Sequence, residues 1–593
     1  DLHSFPTRRS SDLSFIALAK SPFLSPYAYD NAGNPSHYLA EADDYLEGMF
    51  QDRGRLANPA SILAHGEGDN RNSLGNRLIV FAVTPKYEFN EHLTLSEHFA
   101  LTLVNTNENY YLPIQGVPTF IVDGLDESTK LHNMVQSQAS SLTAIQSDTR
   151  LAWKQQFGAH QVGVMGGLRY LNSAYKLTSQ RGYNTPNDKA PKMSSSLSFK
   201  DTDGANDKTT DLVWYALADY NYAQRYFVNA GLSAHASSRF GKDADGLKMG
   251  GVVWGLFPSV EAAWVATNES WFPKTDLLNY LRLNVGYDVT GNDDIDYTAS
   301  RSYFVSRRML NNSVTGVVIG NIGNTDLKWE TTKRLTAGIE GNFLNNRLNL
   351  RFNYFKSWTN NLLSLRQLAW TSGLDASWSN EGKLENNKLR SEGKLESSGF
   401  DAQATVKVLN LKDFRWEVGA SIGHYKNKMT ALPDNDRSFE TDAYGATIQT
   451  KVGQPVGLFY GYKTNGVYST TEEALADGKY VVKENGDKYL FIGGDMNFAD
   501  INQDKVIDEN DRTVIGDPNP DIYGNIHTMF NWKNLTLSAV FNYSLGNDVF
   551  NYQRSLLEGG TYFLNQTTAV NGRWKAEGQK TDIPRVSYKD PMG

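Results

Sequence analysis

The amino-acid sequence predicts an all-β protein, a large antiparallel transmembrane β-barrel with long extracellular loops. First, apolar and polar residues alternate with a period of two in about seven successive pairs of segments, as in antiparallel hairpins with one apolar face. Second, each arm has about 10 residues, close to the length that a tilted strand needs to cross a bilayer. Third, turns within the pairs take roughly two to twelve residues, whereas connections between pairs take about 20 to about 100, which is typical of outer-membrane barrels.

The seven hairpins supply about 14 readable strands. They pair residues 77–87 with 93–103, 149–157 with 162–170, 211–220 with 226–236, 255–267 with 280–289, 335–343 with 348–354, 400–408 with 416–422, and 522–532 with 535–543. The fifth pair is the clearest, because Leu335, Ala337 and Ile339 alternate with polar residues or glycine before a turn through Asn345 and Asn346. The unequal intervals argue against a β-propeller, a sandwich or a solenoid.

One charged residue interrupts the apolar face of the first hairpin. Glu97 falls on the same face as Leu95 and Phe99. A carboxylate facing lipid is costly near the middle of the bilayer and less so toward the interface. We therefore expect a bulge at Glu97 or a position near the membrane edge.

The composition narrows the function classes. The net charge of −8 shows no excess of Lys and Arg, which disfavours nucleic-acid binding. Cysteine is absent, so neither disulfides nor thiolate metal sites can form. A mean hydropathy of −0.49 and a longest apolar run of only Leu78 to Val83 argue against spanning helices, which need about 20 apolar residues.

The two ends of the sequence look incomplete. Residues 1–13 show neither strand nor helix patterning and are interpreted as a non-native leader. Residues from about Leu13 to Gly75 are rich in Pro, Asn and Asp and are predicted to be loop-like. We expect residues 14–593 to be one barrel domain that is incomplete at both ends, with a calcium-loop-like insertion near residues 495–515.

That insertion carries the sharpest local signal. Oxygen-bearing residues occupy positions 1, 3, 5, 7, 9 and 12 of an EF-hand-like loop; they are Asp500, Asn502, Asp504, Val506 (through its carbonyl), Asp508 and Asp511. Two residues depart from that pattern, since Lys505 replaces the usual Gly and Asp511 the usual Glu. The loop is predicted to bind a structural Ca²⁺, and an Asx-turn loop without a metal is the alternative.

Four aromatic residues in predicted long connections are candidate ligand contacts. Tyr110, Tyr111, Trp370 and Trp378 could stack on the sugar rings of a glycan, and loop packing or contact with a lid is the alternative for each. The sequence contains no H-E-x-x-H, G-x-S-x-G or P-loop motif, so the protein is not expected to be an enzyme.

Four segments resemble a known family of outer-membrane proteins. Residues Thr325 to Leu363 look like the strand pair of TonB-dependent receptors, and Gly453 to Tyr468 (GQPVGLFYGYKTNGVY), Asp500 to Asn551 (with GDPNPD and SLGNDVFN) and Asn571 to Arg585 resemble the SusC/RagA family. The resemblance implies a barrel of about 22 strands in the outer membrane of a Gram-negative, Bacteroidetes-like bacterium. It also implies an N-terminal plug driven by the TonB complex and a SusD-like surface lipoprotein as a lid. This sequence shows neither plug nor TonB box.

Two functional hypotheses follow. The first is the barrel of an importer that takes up oligosaccharides or other glycan-derived nutrients, with peptides as a second choice. The alternative is a secreted, soluble β-rich protein that binds or cleaves glycans. The first requires the apolar rows to face outward into lipid, whereas the second requires them to meet inside the protein.

Overall fold

A computed structural model describes most of the chain: residues 13–21, 25–39, 57–65, 72–117, 131–188, 193–194, 197, 199–244, 246–273, 275–309, 314–367, 374, 376–380, 384–385, 388–389, 393–432, 438–560 and 564–587. Strands dominate these residues, and the largest sheet has sixteen strands, fourteen of which form one continuous path. None of the helices in these ranges has the length and apolar content needed to span a membrane.

The fourteen strands of the path, numbered β1 to β14 here, match the predicted arms one for one. They are Ser73–Val83, Leu93–Leu112, Met134–Phe157, His160–Tyr183, Phe199–Tyr222, Tyr226–Ser237, Val252–Val265, Leu278–Asn292, Glu330–Phe343, Leu348–Asn360, Lys394–Asn410, Phe414–Ala431, Ile522–Trp532 and Leu535–Leu545. Each pairs antiparallel with its neighbours in chain order. The predicted order of hairpins is therefore confirmed.

The register places the apolar rows of successive hairpins on one face of the sheet. Val164 lies opposite Ala218, which in turn lies opposite Ala230, and Ala230 lies opposite Val260. The row continues through Tyr287 to Leu335. Val164 and Val260 are each 46% exposed and Leu335 is 45% exposed. Apolar side chains exposed in a continuous band are what a membrane-facing surface requires.

Four neighbouring strands are much longer than predicted. β2 has 20 residues, and β3, β4 and β5 have 24 each, whereas crossing a bilayer takes about 9–11. The extra length lies at the end away from the tight turns. Sequence alternation missed it because segments such as residues 199–210 are polar on both faces, as expected where neither face meets lipid.

Of the two alternatives for Glu97, a bulge is wrong, and a position near the membrane edge stays a prediction. β2 runs in unbroken register with β3 past Glu97, which lies opposite Thr149. The Glu97 carboxylate accepts hydrogen bonds from the hydroxyls of Ser147 (2.6 Å) and Thr149. Hydrogen bonds of this kind lower the cost of a carboxylate on an otherwise apolar face.

The region before β1 contains more structure than the loop-like prediction allowed. Helices α1 (Leu13–Ala19) and α2 (Pro59–His65) and the paired strands Tyr27–Tyr29 and Pro35–Leu39 lie there. Ile16 of α1 is fully buried in a cluster with Leu112 and Met134 at the outer ends of β2 and β3. These helices have only seven residues each, too few for a helical period to stand out in the sequence.

Short strands also form in the other connections between the strands of the main path. Lys86–Glu88 and Leu247–Met249 join the main sheet, and the pairs Tyr303–Met309 with Val314–Asn321, Ser364–Gln367 with Ala376–Ser379, and Leu384–Glu385 with Lys388–Leu389 form separate ribbons. A 3₁₀ turn spans Ala266–Asn268.

The connection from β12 to β13 folds into a small unit with its own core. It contains a four-stranded sheet (Ser438–Ala443, Ala446–Lys451, Leu458–Tyr462 and Arg512–Gly516), the pairs Thr464–Val467 with Met496–Phe498 and Tyr480–Val482 with Lys488–Leu490, helix α3 (Thr471–Asp477) and a 3₁₀ turn at Glu509–Asp511. Tyr468, Phe491 and Ile507 are buried together in it. After β14 come α4 (Tyr552–Glu558) and a 3₁₀ turn at Thr568–Gly572.

Candidate functional site

A charged network lies on the polar, inward face of β3 to β5. Asp148 is fully buried and lies directly opposite Arg169 on the neighbouring strand. Its carboxylate accepts hydrogen bonds from Arg150 (2.7 Å), Arg169 (2.9 Å) and the hydroxyl of Tyr215 (2.6 Å). Three strands are thus tied together at one point of the inner wall.

A glycine makes this arrangement possible. Gly167 lies opposite both Arg150 and Tyr215, and any side chain there would collide with the Tyr215 ring. The ring can therefore lie flat along the wall and bring its hydroxyl to Asp148. The guanidinium of Arg169 is 5.9 Å from the centre of the same ring, within the range of a cation–π contact.

The network offers positive charge to the lumen. The side chains of Arg150 and Arg169 remain 40% and 45% exposed, whereas that of Asp148 is covered. One carboxylate against two guanidiniums leaves one positive charge in excess. The exposed N–H groups can donate hydrogen bonds to carbonyl, hydroxyl or anionic groups of a passing solute.

The tyrosine pair proposed for ligand contact does not lie in a connection, so that placement is wrong. Tyr110 and Tyr111 belong to β2, opposite Gln136 and Val135. Tyr111 is only 5% exposed, and its hydroxyl donates a hydrogen bond to Asp188. Its ring face is therefore covered by protein, which favours the packing role for this residue.

Trp378 lies in the connection between β10 and β11, as predicted. It packs against the buried cluster of Ile295, Ala299 and Leu327, and its indole N–H donates a 2.7 Å hydrogen bond to Asp296. These contacts favour loop packing over ligand contact. Trp370 lies outside the described residues.

The predicted calcium loop adopts a tight, locally hydrogen-bonded turn. Both carboxylate oxygens of Asp500 accept backbone N–H groups, from Asp504 (3.2 Å) and Lys505 (3.0 Å), and Asp511 is fully buried and accepts from Ile501 (2.7 Å). Lys505 has φ of +70°, the conformation for which glycine is usual. Across the described residues, the carboxylates of this loop do not form a group of three whose oxygens lie within 4.8 Å of one another.

The loop is tied to α3 through charged side chains. Asp477 accepts a hydrogen bond from the Tyr468 hydroxyl (2.6 Å) and forms ion pairs with Lys479 (2.9 Å) and Lys505 (3.4 Å). Burial acts to raise the pKa of Asp477, but the Tyr468 hydroxyl and the Lys479 ammonium outweigh it and hold this pKa below its ordinary value. Burial raises the pKa of Tyr468.

Comparison with known proteins identifies the family. The profile described as "TonB dependent receptor-like, beta-barrel" matches residues 19–490. The chain belongs to this family. The resemblance to TonB-dependent receptors inferred from the sequence motifs is therefore confirmed, and the chain is an outer-membrane receptor barrel.

Similar proteins include TonB-dependent receptors from Bacteroidetes. TonB-dependent receptor P3 of Formosa agariphila is 26% identical over 522 residues, which cover 85% of this receptor barrel and 48% of P3. TonB-dependent receptor SusC of Bacteroides thetaiotaomicron is 24% identical over 350 residues, covering 58% and 32%. The chain thus spans about half the length of P3 and less of SusC.

A solved structure shares the fold. The RagAB peptide transporter superimposes with a TM-score of 0.70 at 19% identity, covering 94% of this chain and 56% of that one.

The charged network of the receptor barrel was not predicted, although the sequence carries a signal for part of it. The tight turn between β3 and β4, with Phe157 opposite His160, fixes their register. Counting back from it places Asp148 opposite Arg169. The third partner, Tyr215, comes from another hairpin, and no short turn sets its register against β4.

Proposed function

We propose that the chain is the barrel part of a TonB-dependent importer that takes up oligosaccharides or other glycan-derived nutrients across the outer membrane. The observation that carries the proposal is the continuous band of exposed apolar side chains on one face of the fourteen strands, with charged and amide side chains on the other. A soluble glycan-binding protein would bury that band, so the second hypothesis is abandoned.

The inner wall suits a hydrophilic cargo. Besides the two arginines, inward side chains include Asn353, whose amide donates a 2.8 Å hydrogen bond to Asp401 on the neighbouring strand. Amides, guanidiniums and carboxylates together can exchange hydrogen bonds with the hydroxyl groups of a sugar chain. The same wall can bind the backbone of a peptide. The RagAB peptide transporter shares the fold, and peptides stay the second candidate.

The transport cycle proposed here needs parts beyond this chain. A plug would close the lumen, the TonB complex would remodel that plug from the periplasmic side, and a SusD-like lipoprotein would cover the outer connections and deliver the cargo. P3 is about twice as long as the region matched in it, which leaves room for a plug. The residues described here would supply the membrane wall, the polar path and the outer loops.

Growth experiments test the cargo. The gene encoding the parent protein is deleted in the source bacterium, and growth is compared on a panel of polysaccharides, on peptides and on glucose. We expect growth to fail on one class of polysaccharide and to return when the gene is restored. Failure on peptides alone would support the second candidate, and unchanged growth on every polymer would contradict the importer.

We propose in addition that residues 500–511 bind a structural Ca²⁺ in the parent protein. The order of oxygen-bearing side chains and the left-handed Lys505 support this proposal. An ion there would also neutralise part of the charge of the four aspartates in this loop.

A further inference from the structure

The inner wall carries a second cluster, at the outer ends of β6 and β8 and beside the middle of β5. Asp211 of β5 and His235 of β6 lie on the inward face, and Asp293 follows the last residue of β8 directly. Within the described part of the chain, these three residues form a group whose ligand atoms all lie within 4.8 Å of one another. Nothing in the proposed import cycle assigns them a role.

The unpaired atoms of this cluster point to a missing occupant. Asp211 is 7% exposed, yet its Oδ1 has no hydrogen-bond partner among the described residues, and the same holds for Nε2 of His235. The two atoms are 3.4 Å apart, at ion-pair distance, but they do not form a hydrogen bond. A buried carboxylate oxygen without a hydrogen bond is costly, and a cation bound between the two atoms would offset that cost.

We propose that Asp211, His235 and Asp293 bind a single divalent transition metal, with Zn²⁺ as the best fit. Two ligands at tetrahedral angles and Zn–ligand bonds of about 2.1 Å lie about 3.4 Å apart, which matches the separation of Oδ1 and Nε2. The imidazole nitrogen selects against Ca²⁺ and Mg²⁺, which prefer oxygen ligands alone. Three protein ligands leave a fourth position for water or a cargo group.

Neighbouring side chains hold the imidazole in place. The ring of Trp329 lies 4.5 Å from that of His235. Gly255, directly opposite His235, leaves space for this indole, because a Cβ there would lie 2.8 Å from its Cδ1. A fixed imidazole orientation is what a metal ligand requires.

The local charge also favours a cation. Arg239 forms an ion pair with one oxygen of Asp293 at 2.9 Å and balances the negative charge of one of the two carboxylates. One negative charge therefore remains when His235 is neutral. Asp293 keeps its second oxygen for a metal, and binding would pin the connection after β8 to the wall of β5 and β6.

Metal titration of the refolded chain tests the site. The chain is refolded in detergent, stripped with a chelator and titrated with ZnCl₂ by calorimetry, and Co²⁺ absorption then reports the ligand geometry. We expect one Zn²⁺ per chain in the wild type. Asp211→Asn and His235→Gln each remove a direct ligand and should weaken Zn²⁺ binding by about 10-fold or more. Loss of a residue that only orients a ligand already costs about that much.

Matched controls separate this site from others. His527→Gln changes another inward histidine, which lies 3.3 Å from Asn525, and should leave Zn²⁺ binding unchanged, as should Asp500→Ala combined with Asp504→Ala. Asp293→Asn changes a ligand outside the strands. Weaker Zn²⁺ binding by this variant therefore cannot be attributed to misfolding of the sheet. Absence of stoichiometric Zn²⁺ binding in the wild type, or equal affinity in Asp211→Asn and wild type, would overturn the proposal without bearing on import.

Discussion

Replacing Asp148 by Asn should destabilise the barrel by removing the negative charge that holds two guanidiniums against the wall. Asp148 is fully buried and accepts hydrogen bonds from Arg150, Arg169 and Tyr215. The substitution keeps the size of the side chain, so the expected change comes from charge and hydrogen bonding rather than from a cavity.

The magnitude follows from the exposure of the partners. Removing one member of a fully buried ion pair costs about 3–5 kcal/mol. The arginine side chains are 40% and 45% exposed, so water would solvate the stranded guanidiniums in part. We therefore expect a loss of about 2–3 kcal/mol in the free energy of unfolding, below the range for a fully buried pair.

Urea unfolding of the refolded chain in detergent, followed by tryptophan fluorescence, measures this loss. Asp219→Asn is the matched control, because Asp219 is an inward but exposed aspartate on β5, the strand that carries Tyr215, and it should change the free energy of unfolding by no more than about 0.5 kcal/mol. Adding Arg169→Gln to Asp148→Asn should restore part of the loss, since it removes one unpaired charge. Equal urea midpoints for Asp148→Asn and wild type would refute the reasoning.

Three further predictions concern the outer connections. Calorimetric titration with Ca²⁺ should show binding by the wild type and none by Asp500→Ala combined with Asp504→Ala; identical binding by both would reject the loop as the site. The lowered pKa of Asp477 means that its charge stabilises the unit between β12 and β13 above the unfolded pKa of about 3.9. This contribution should disappear as pH falls through the lower folded pKa, and Asp477→Asn should remove that acid-side loss in a pH series of melting curves. Trp378→Ala should lower the melting temperature through lost packing without weakening binding of an identified glycan, whereas weaker binding at unchanged stability would make Trp378 a ligand contact.

The membrane-crossing part of the fold is encoded locally. In the hairpin of β9 and β10, lipid on one side and water on the other impose a period of two. The turn at Asn345 and Asn346, where both residues have positive φ, fixes the register. Both signals lie within about 25 residues of sequence, which is why all fourteen strands could be read in order.

Beyond the membrane the alternation disappears, because both faces of a strand then meet water or protein. The outer ends of β2 to β5 were therefore predicted to be loops, and the burial of Tyr111 was not predicted. The sequence also held the family motifs, since these are runs of adjacent residues.

Only the tertiary structure decided which distant side chains meet. Asp148 and Tyr215 are 67 residues apart and come from different hairpins. Asp211 and His235 share the hairpin of β5 and β6, whereas Asp293 follows β8 in another hairpin. The contacts of Asp148 with Tyr215, and of Asp293 with the other two residues, depend on the register between hairpins, which hydrogen bonds across the completed sheet set and no local pattern specifies. The sequence by itself therefore determined a membrane barrel and its strand order, whereas the folded sheet determined the charged network and the candidate metal site.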